Sequence, residues 1–306
     1  MKRNLLLRFL PILPSIWLIL TMIFLLIHIV PGDPVEQMLG PDAQAADVLR
    51  FRHDLGLDLP MSVQYGHYLG GLVRGNWGES YHFREPVFGL VFERYPATLE
   101  LAVAALAVCL AIAIPAGVFS ASRRGSGGDR ATSVLTLLGL SIPNFALGPL
   151  LILFFSVKLG WLPVSGRGGL THLLLPAVTL GSALAAILTR MVRGAMLEEL
   201  SSDYIRTARA KGLRERAVLF RHAFPNALIP IITIVGLQFG TLLAGTIVTE
   251  TIFSWPGIGR LAVQAIQSRD YPLLQGCILV IALSYVLVNL LTDLLYALAD
   301  PRVRVS

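Results

Sequence analysis

The chain has 306 residues, 25 Lys and Arg against 19 Asp and Glu, 55% hydrophobic and 14% charged residues, and a mean hydropathy of +0.69. So few charges cannot clothe a soluble domain of this size, so lipid is the solvent for much of the surface. The basic pI near 9.6 does not point to nucleic acid, because the arginines flank apolar runs, where topology and anionic lipid account for them.

A hydrocarbon core about 30 Å thick is crossed by about 20 apolar helical residues. Runs of that kind occur at Phe9–Val30, Ala97–Ser120, Ala131–Val157, His172–Val192, Ala227–Thr249 and Leu274–Ala297. None alternates as a transmembrane strand would. The expectation is an all-α, polytopic membrane protein with six transmembrane helices. Residues 1–30 carry the N-terminal segment and first span, 31–96 an extracytoplasmic loop element, and 97–306 the core transmembrane domain.

The first run follows Lys2, Arg3 and Arg8 as a signal peptide would. It is too long for an h-region and enters Pro31-Gly32-Asp33 without a small-residue cleavage site, so it is expected to stay as a span. The 31–96 loop is too long for a bare connector. Asp47–Leu55 reads as an amphipathic helix and Gly56-Leu57-Asp58-Leu59-Pro60 as its breaker. Cys109 in the second run and Cys277 in the last have no near cysteine neighbour and read as apolar packers.

In the third run, Ser141-Ile142-Pro143-Asn144 removes a backbone hydrogen bond and sets a polar side chain beside the gap. Such a break either lines a cavity or kinks the helix. In the fifth run Gly236, Gly240 and Ala244 recur four apart, a face that lets another helix approach closely. Charge within a span is costly unless it meets protein or water. Glu100 lies at the edge of a span. Glu250, at the outer end of the fifth run, is read evenly as an interfacial carboxylate in water or a group with a role. Asp293, one turn after Asn289, is read first as an interhelical hydrogen-bond partner.

With the N-terminus inside, the cytoplasmic segments gather Lys2, Arg3, Arg8, Arg123, Arg124, Arg130, the basic run Arg206 to Arg221, Arg302 and Arg304. In the long outer loop nine carboxylates outnumber five arginines. This obeys the positive-inside rule and places both termini in the cytoplasm. The chain has no GxxxxGK[ST] phosphate loop, no GxSxG elbow and no HExxH among His28, His53, His67, His82, His172 and His222. No catalytic residue, metal site or cofactor is expected, and any ATP is hydrolysed on another chain.

Between the fourth and fifth runs, residues 203–226 read as a short helical hairpin. Asp203-Tyr204-Ile205-Arg206-Thr207-Ala208-Arg209-Ala210-Lys211-Gly212 favours helix, Gly212 suits a C-terminal turn, and Leu213, Val218, Leu219 and Phe220 supply apolar contacts. From composition alone this is equally a helix lying on the lipid surface. The segment resembles a loop of importer permeases of the form EAA, three residues, Gly, nine residues, then I-x-L-P. Gly212 and Pro225 keep that spacing and Ala208 matches the last alanine, while Arg206, Thr207, His222 and Phe224 depart from it. The departures resemble the dipeptide, oligopeptide and nickel permease family of ABC importers, whose version reads close to DYIRTARAKG followed by RNALIP. Further matches are Pro31-Gly32-Asp33-Pro34, Leu55 to Asp58 with Pro60, Gln64 and Tyr65, Thr249 to Phe253, Trp255 to Arg260, Arg269 to Pro272, and Ala299 to Arg302.

The resemblance implies a type I (MetI-like) permease fold and half of a translocation pathway. The implied partners are a second homologous permease, two ATP-binding subunits, an extracytoplasmic solute-binding protein and membrane lipid, in a bacterial inner membrane. The cargo it implies is a peptide first, with glutathione or a nickel chelate as the alternative within the family. A passive channel or membrane enzyme is the alternative outside it. Tyr204, Arg206, Thr207, Ala208, Gly212 and Pro225 would couple to the ATPase, with Tyr204, Ala208 and Gly212 foremost. Asn144, Gln238, Glu250 and Asp293 would line the pathway or gate, and Trp255, Pro256, Gly257, Arg269 and Asp270 would face the binding protein.

Overall fold

The computed structural model describes residues 12–29, 35, 44–54 and 56–299. The Pro31–Pro34 motif, Leu55, the N-terminal basic residues and the Asp300-Pro301-Arg302 tail lie outside the described residues. In chain order the helices are α1 (Ile12–Ile29), α2 (Ala45–Asp54), α3 (Met61–Val73), α4 (Val87–Ser122), α5 (Gly127–Ser141), α6 (Asn144–Leu151), α7 (Leu170–Leu200), α8 (Asp203–Ala210), α9 (Phe224–Gly245), α10 (Ile247–Ile252), α11 (Ile258–Gln267) and α12 (Tyr271–Ala299). A π-helical stretch over Ile152–Lys158 extends α6, and a second over Val218–Ala223, after one turn at Glu215–Ala217, leads into α9. Extended pairing among the described residues amounts to one antiparallel bridge between Glu79 and Pro86.

Four helical runs are long and apolar enough to cross a bilayer: α4, α7, the Glu215–Leu243 run that holds most of α9, and α12. The third apolar run is helical but broken. α5 and the α6 rod meet at 97°, because Ile142 before the proline is extended (φ −92°, ψ 113°) and Pro143 follows at ψ 143°. Proline denies its own N–H and pushes its predecessor out of the helical region, so two extended residues form the corner. The fifth run also differs from expectation: α9 stops at Gly245, and Glu250 belongs to the separate α10. α1, at 18 residues, is the first apolar run.

Two compact units form. One takes the described part of Met1–Ala97 with Pro256–Ser284. Here α3 lies against α1 through Phe24, whose ring meets Tyr65 at 5.1 Å and Tyr68 at 5.7 Å. The Gln275 amide donates to the Ile23 carbonyl at 2.9 Å. Val87, Val91, Ile258, Leu261, Leu273 and Cys277 make its core. The breaker after α2 is a turn with Gly56 at φ +64°.

The other unit takes Thr98–Trp255 with the described part of Tyr285–Ser306. Between lipid-facing helices there is little hydrophobic drive, so close packing of small residues does the joining. A Cβ at Gly181 would lie 2.5 Å from the Ala105 carbonyl oxygen, which lets α7 touch α4. A Cβ at Gly236 would lie 2.0 Å from Thr292 Oγ1, which seats α9 on α12. The small-residue face read from Gly236 and Gly240 is therefore a helix contact. Cys109 in this unit and Cys277 in the first are both buried.

Candidate functional site

The hairpin between α7 and α9 is built from local sequence. α8 is strongly amphipathic: Ile205 (0% exposed) and Ala208 (7%) turn inward onto a core with Met196, Val218, Leu219 and Ala223. Arg206, Thr207, Ala210 and Lys211 face outward. The helix ends in a Schellman turn. The Gly212 N–H bonds the Arg209 carbonyl at 2.9 Å and the Leu213 N–H reaches the Ala208 carbonyl at 3.4 Å, with Gly212 at φ +75°. Any L side chain there meets open space but a strained backbone.

Two contacts fix this hairpin to its neighbours, and a third closes the hairpin itself. The Tyr204 hydroxyl donates to the Glu199 carboxylate at the end of α7, and accepts from the Asn226 amide at the start of α9 at 2.9 Å. Arg209 grips Glu215 with two N–H donors, at 2.7 and 3.2 Å, closing the turn across Gly212. The Asp203–Arg206 pair at 3.2 Å is almost fully exposed and adds little. Burial, then the bond to Glu199, pushes the Tyr204 phenol above its ordinary 10.0. Of the six coupling candidates, Ala208 is the one the geometry turns away from solvent. Pro225 lies near the start of α9, exposed, directly after the π-helical stretch over Val218–Ala223.

Glu250 is not a solvated interfacial carboxylate. It is 0% exposed and its Oε1 accepts from Thr98 at 2.8 Å and Thr246 at 3.0 Å. Asn144 opens α6 with its Oδ1 buried and without a hydrogen-bond partner among the described residues. Gln238 is 9% exposed. Asp293 departs from expectation: it points outward from α12 and makes no interhelical hydrogen bond among the described residues. Glu100 pairs with Arg167 at 2.6 Å.

The residues expected to face a binding protein are mostly inward. Trp255 and Asp270 are 0% exposed, Gly257 is buried, Pro256 is half-buried, and Arg269 alone of the five is exposed. Asp270 has a structural task that explains its burial. One carboxylate oxygen caps α12 through the Leu273 N–H at 3.2 Å. The other holds the loop between α3 and α4 through Ser80 Oγ at 2.5 Å and the His82 N–H at 3.0 Å. Exposure of the chain segment does not carry over to each side chain within it.

Sequence reading missed one cluster. Asp129, 5% exposed, receives Arg193 Nε at 2.8 Å and Nη2 at 3.0 Å, Ser120 Oγ at 2.5 Å and the Gly125 N–H at 2.9 Å. It ties together the end of α4, the start of α5 and α7. The available signal was Ser126 three residues before Asp129, a capping pair whose hydroxyl accepts the Asp129 N–H at 3.3 Å. Among the described residues no three His, Cys, Asp or Glu side chains converge as metal ligands.

Comparison with known proteins agrees with this architecture. Residues 113–305 match the model of the binding-protein-dependent transport system inner membrane component, and residues 1–102 match the model of its N-terminal region. The chain is similar to the glutathione transport system permease protein GsiC of Escherichia coli, at 42% identity over 97% of both chains. It is 43% identical to the protein of that name from Pectobacterium atrosepticum, again over 97% of both. Among solved structures, a chain of the inward-facing MetNI methionine ABC transporter matches with a TM-score of 0.59 at 21% identity, over 69% of this chain and 96% of that one. An amino acid ABC transporter solved with histidines matches with a TM-score of 0.51 at 19% identity, over 70% and 94%. With its helical polytopic fold, the chain belongs to the binding-protein-dependent inner membrane transport family and is a permease subunit of an ABC importer.

Proposed function

We propose that this chain forms half of the translocation pathway for glutathione and related short peptides. Its partners in this reading are a second, similar permease, two ATP-binding subunits that hydrolyse the ATP, and an extracytoplasmic solute-binding protein. The relatives named for glutathione, matched along almost the whole chain, narrow the peptide reading toward that cargo. The lysine and arginine bias supports a cytoplasmic placement of both termini.

In this reading the α8 hairpin is the lever between ATP and the spans. The observation that carries it is the fastening of α8: Tyr204 bonds both α7 and α9, and the Arg209–Glu215 pair closes the turn. A loop would absorb a push, whereas a helix tied at both ends passes it to the helices it is tied to. Arg206, Thr207, Ala210 and Lys211, with the exposed apolar tips Leu213 and Phe220, form the face offered to an ATPase groove. Ala208 and Ile205 hold the lever to its own subunit. The broken third span, with the Asn144 Oδ1 at its corner, is the candidate gate element, because irregular backbone in a membrane is tolerated where it lines a cavity or protein.

The test is solute-stimulated ATP hydrolysis by the reconstituted complex, comparing wild type with Gly212→Asp. The substitution strains a φ of +75° by about 1–2 kcal/mol and remodels the turn. Stimulation should fall several-fold while the complex still assembles. Glutathione should stimulate the wild type more than dipeptides or nickel. Unchanged stimulation in Gly212→Asp sinks the lever, and a stronger response to dipeptides or nickel sinks the cargo assignment.

A further inference from the structure

A cavity of about 310 Å³ opens in the second unit, lined by Ser120, Thr132, Ser133, Thr136, Leu137, Arg190 and Arg193. It lies beside the Asp129 cluster, and its charge is unbalanced. Asp129 occupies Arg193 with two hydrogen bonds, whereas Arg190, one turn earlier on the same face of α7, has no acidic partner among the described residues. The pocket thus holds two guanidinium groups against one carboxylate. Arg193 also has N–H donors left over after serving Asp129, because a guanidinium carries five.

The other lining is graded. The hydroxyls of Thr132, Ser133 and Thr136 donate to carbonyls within α5, and these residues line the cavity. Leu137 closes it with an apolar surface, and next to it Val134, Leu135 and Leu138 are more than half exposed on the same helix. A pocket that is cationic at one end and apolar at the other suits an amphiphile better than a free anion. Its depth agrees. Along α5 the lining residues run from Thr132 to Leu137, a rise of about 8 Å, comparable with the headgroup zone of one leaflet. The turn at its mouth carries exposed Arg123, Arg124 and Arg130.

We propose that this pocket between α4, α5 and α7 binds the phosphate headgroup of an anionic phospholipid, with Arg190 as the principal ligand and Leu137 against the glycerol or first acyl carbons. Basic pockets between spanning helices recognise anionic headgroups by this chemistry. Seated there, the lipid would brace the corner that Asp129 already joins. The site stands independently of the cargo and of the coupling hairpin.

The experiment measures the thermal midpoint of the detergent-purified full chain with added phosphatidylglycerol, phosphatidylcholine or inorganic phosphate. Native mass spectrometry counts the retained lipid. Phosphatidylglycerol should raise the midpoint of the wild type. Arg190→Gln should lose at least half of that rise and one retained lipid, with its lipid-free midpoint unchanged, and Arg74→Gln, which does not line the pocket, should keep both. A full rise in Arg190→Gln, or an equal rise from phosphatidylcholine, overturns the site. An equal rise from inorganic phosphate overturns the lipid as its occupant.

Discussion

One hydroxyl group does much of the fastening at Tyr204. Tyr204→Phe keeps the ring and removes the bridge from Glu199 to Asn226, at a cost of about 1 kcal/mol for a half-exposed bond to a charged group. Solute transported per ATP should fall while basal hydrolysis persists, measured by parallel uptake and phosphate-release assays. Unchanged stoichiometry would show that the bridge carries no force. The phenol's raised pKa fixes the sign of its pH dependence. An acid whose folded pKa is raised contributes stability that is complete below the unfolded value, about 10, and is lost as pH climbs through the folded one. The Tyr204 contribution should therefore hold across neutral and mildly alkaline pH, with the difference between wild type and Tyr204→Phe constant there. At this scale the sequence was legible where a residue's role is written in its backbone, as at Gly212. It was not legible where the role depends on which way a side chain turns. Ala208 and Asp270 sit in the motifs where they were expected, yet packing turns both inward.

Helix contacts in this molecule depend on missing atoms. At Gly236 an added Cβ would fall 2.0 Å from Thr292 Oγ1 and 2.6 Å from Thr292 Cβ, so rotating that side chain gives no relief. At Gly240 the nearest atoms are the Tyr285 ring edge at 3.1 Å, which can tilt away. Gly236→Ala should cost about 1–3 kcal/mol and Gly240→Ala a fraction of that, read from thermal midpoints in detergent. The α4–α5–α7 corner should be more sensitive still. Asp129→Ala removes the four hydrogen bonds that join these three helices and should lower the midpoint by more than Gly236→Ala does, and an intact midpoint would contradict the assignment. The small-residue face was legible because its period is helical. The corner was not, because Asp129 and Arg193 lie far apart in sequence and no local pattern joins them. The proline of the third span announced a break but not its 97° angle, which needed two consecutive extended residues.

For the whole molecule, hydropathy located the apolar helices because the solvent imposes a length and a composition that soluble folds do not share. Chain order of motifs identified the family, since several separate matches along one chain constrain each other. What remained hidden was the fate of the outer segments, where Trp255 and Gly257 are buried within a stretch that motif and topology alone placed at the surface. Topology itself is open to a direct check: reporter fusions that report the cytoplasm should be active at the C-terminus and in the Arg123–Arg130 turn, and inactive between α3 and α4.

The proposed lever is α8, which would couple ATP hydrolysis to the spans through its outer face. Ala208 and Ala210 stand two residues apart, one packed inward and one exposed, so cysteine cross-linking of the assembled importer separates them. Ala210→Cys should form a cross-link to the ATP-binding subunit and Ala208→Cys should not. A cross-link at Ala208 with none at Ala210, or at neither while Arg206→Cys and Lys211→Cys also fail, would contradict it.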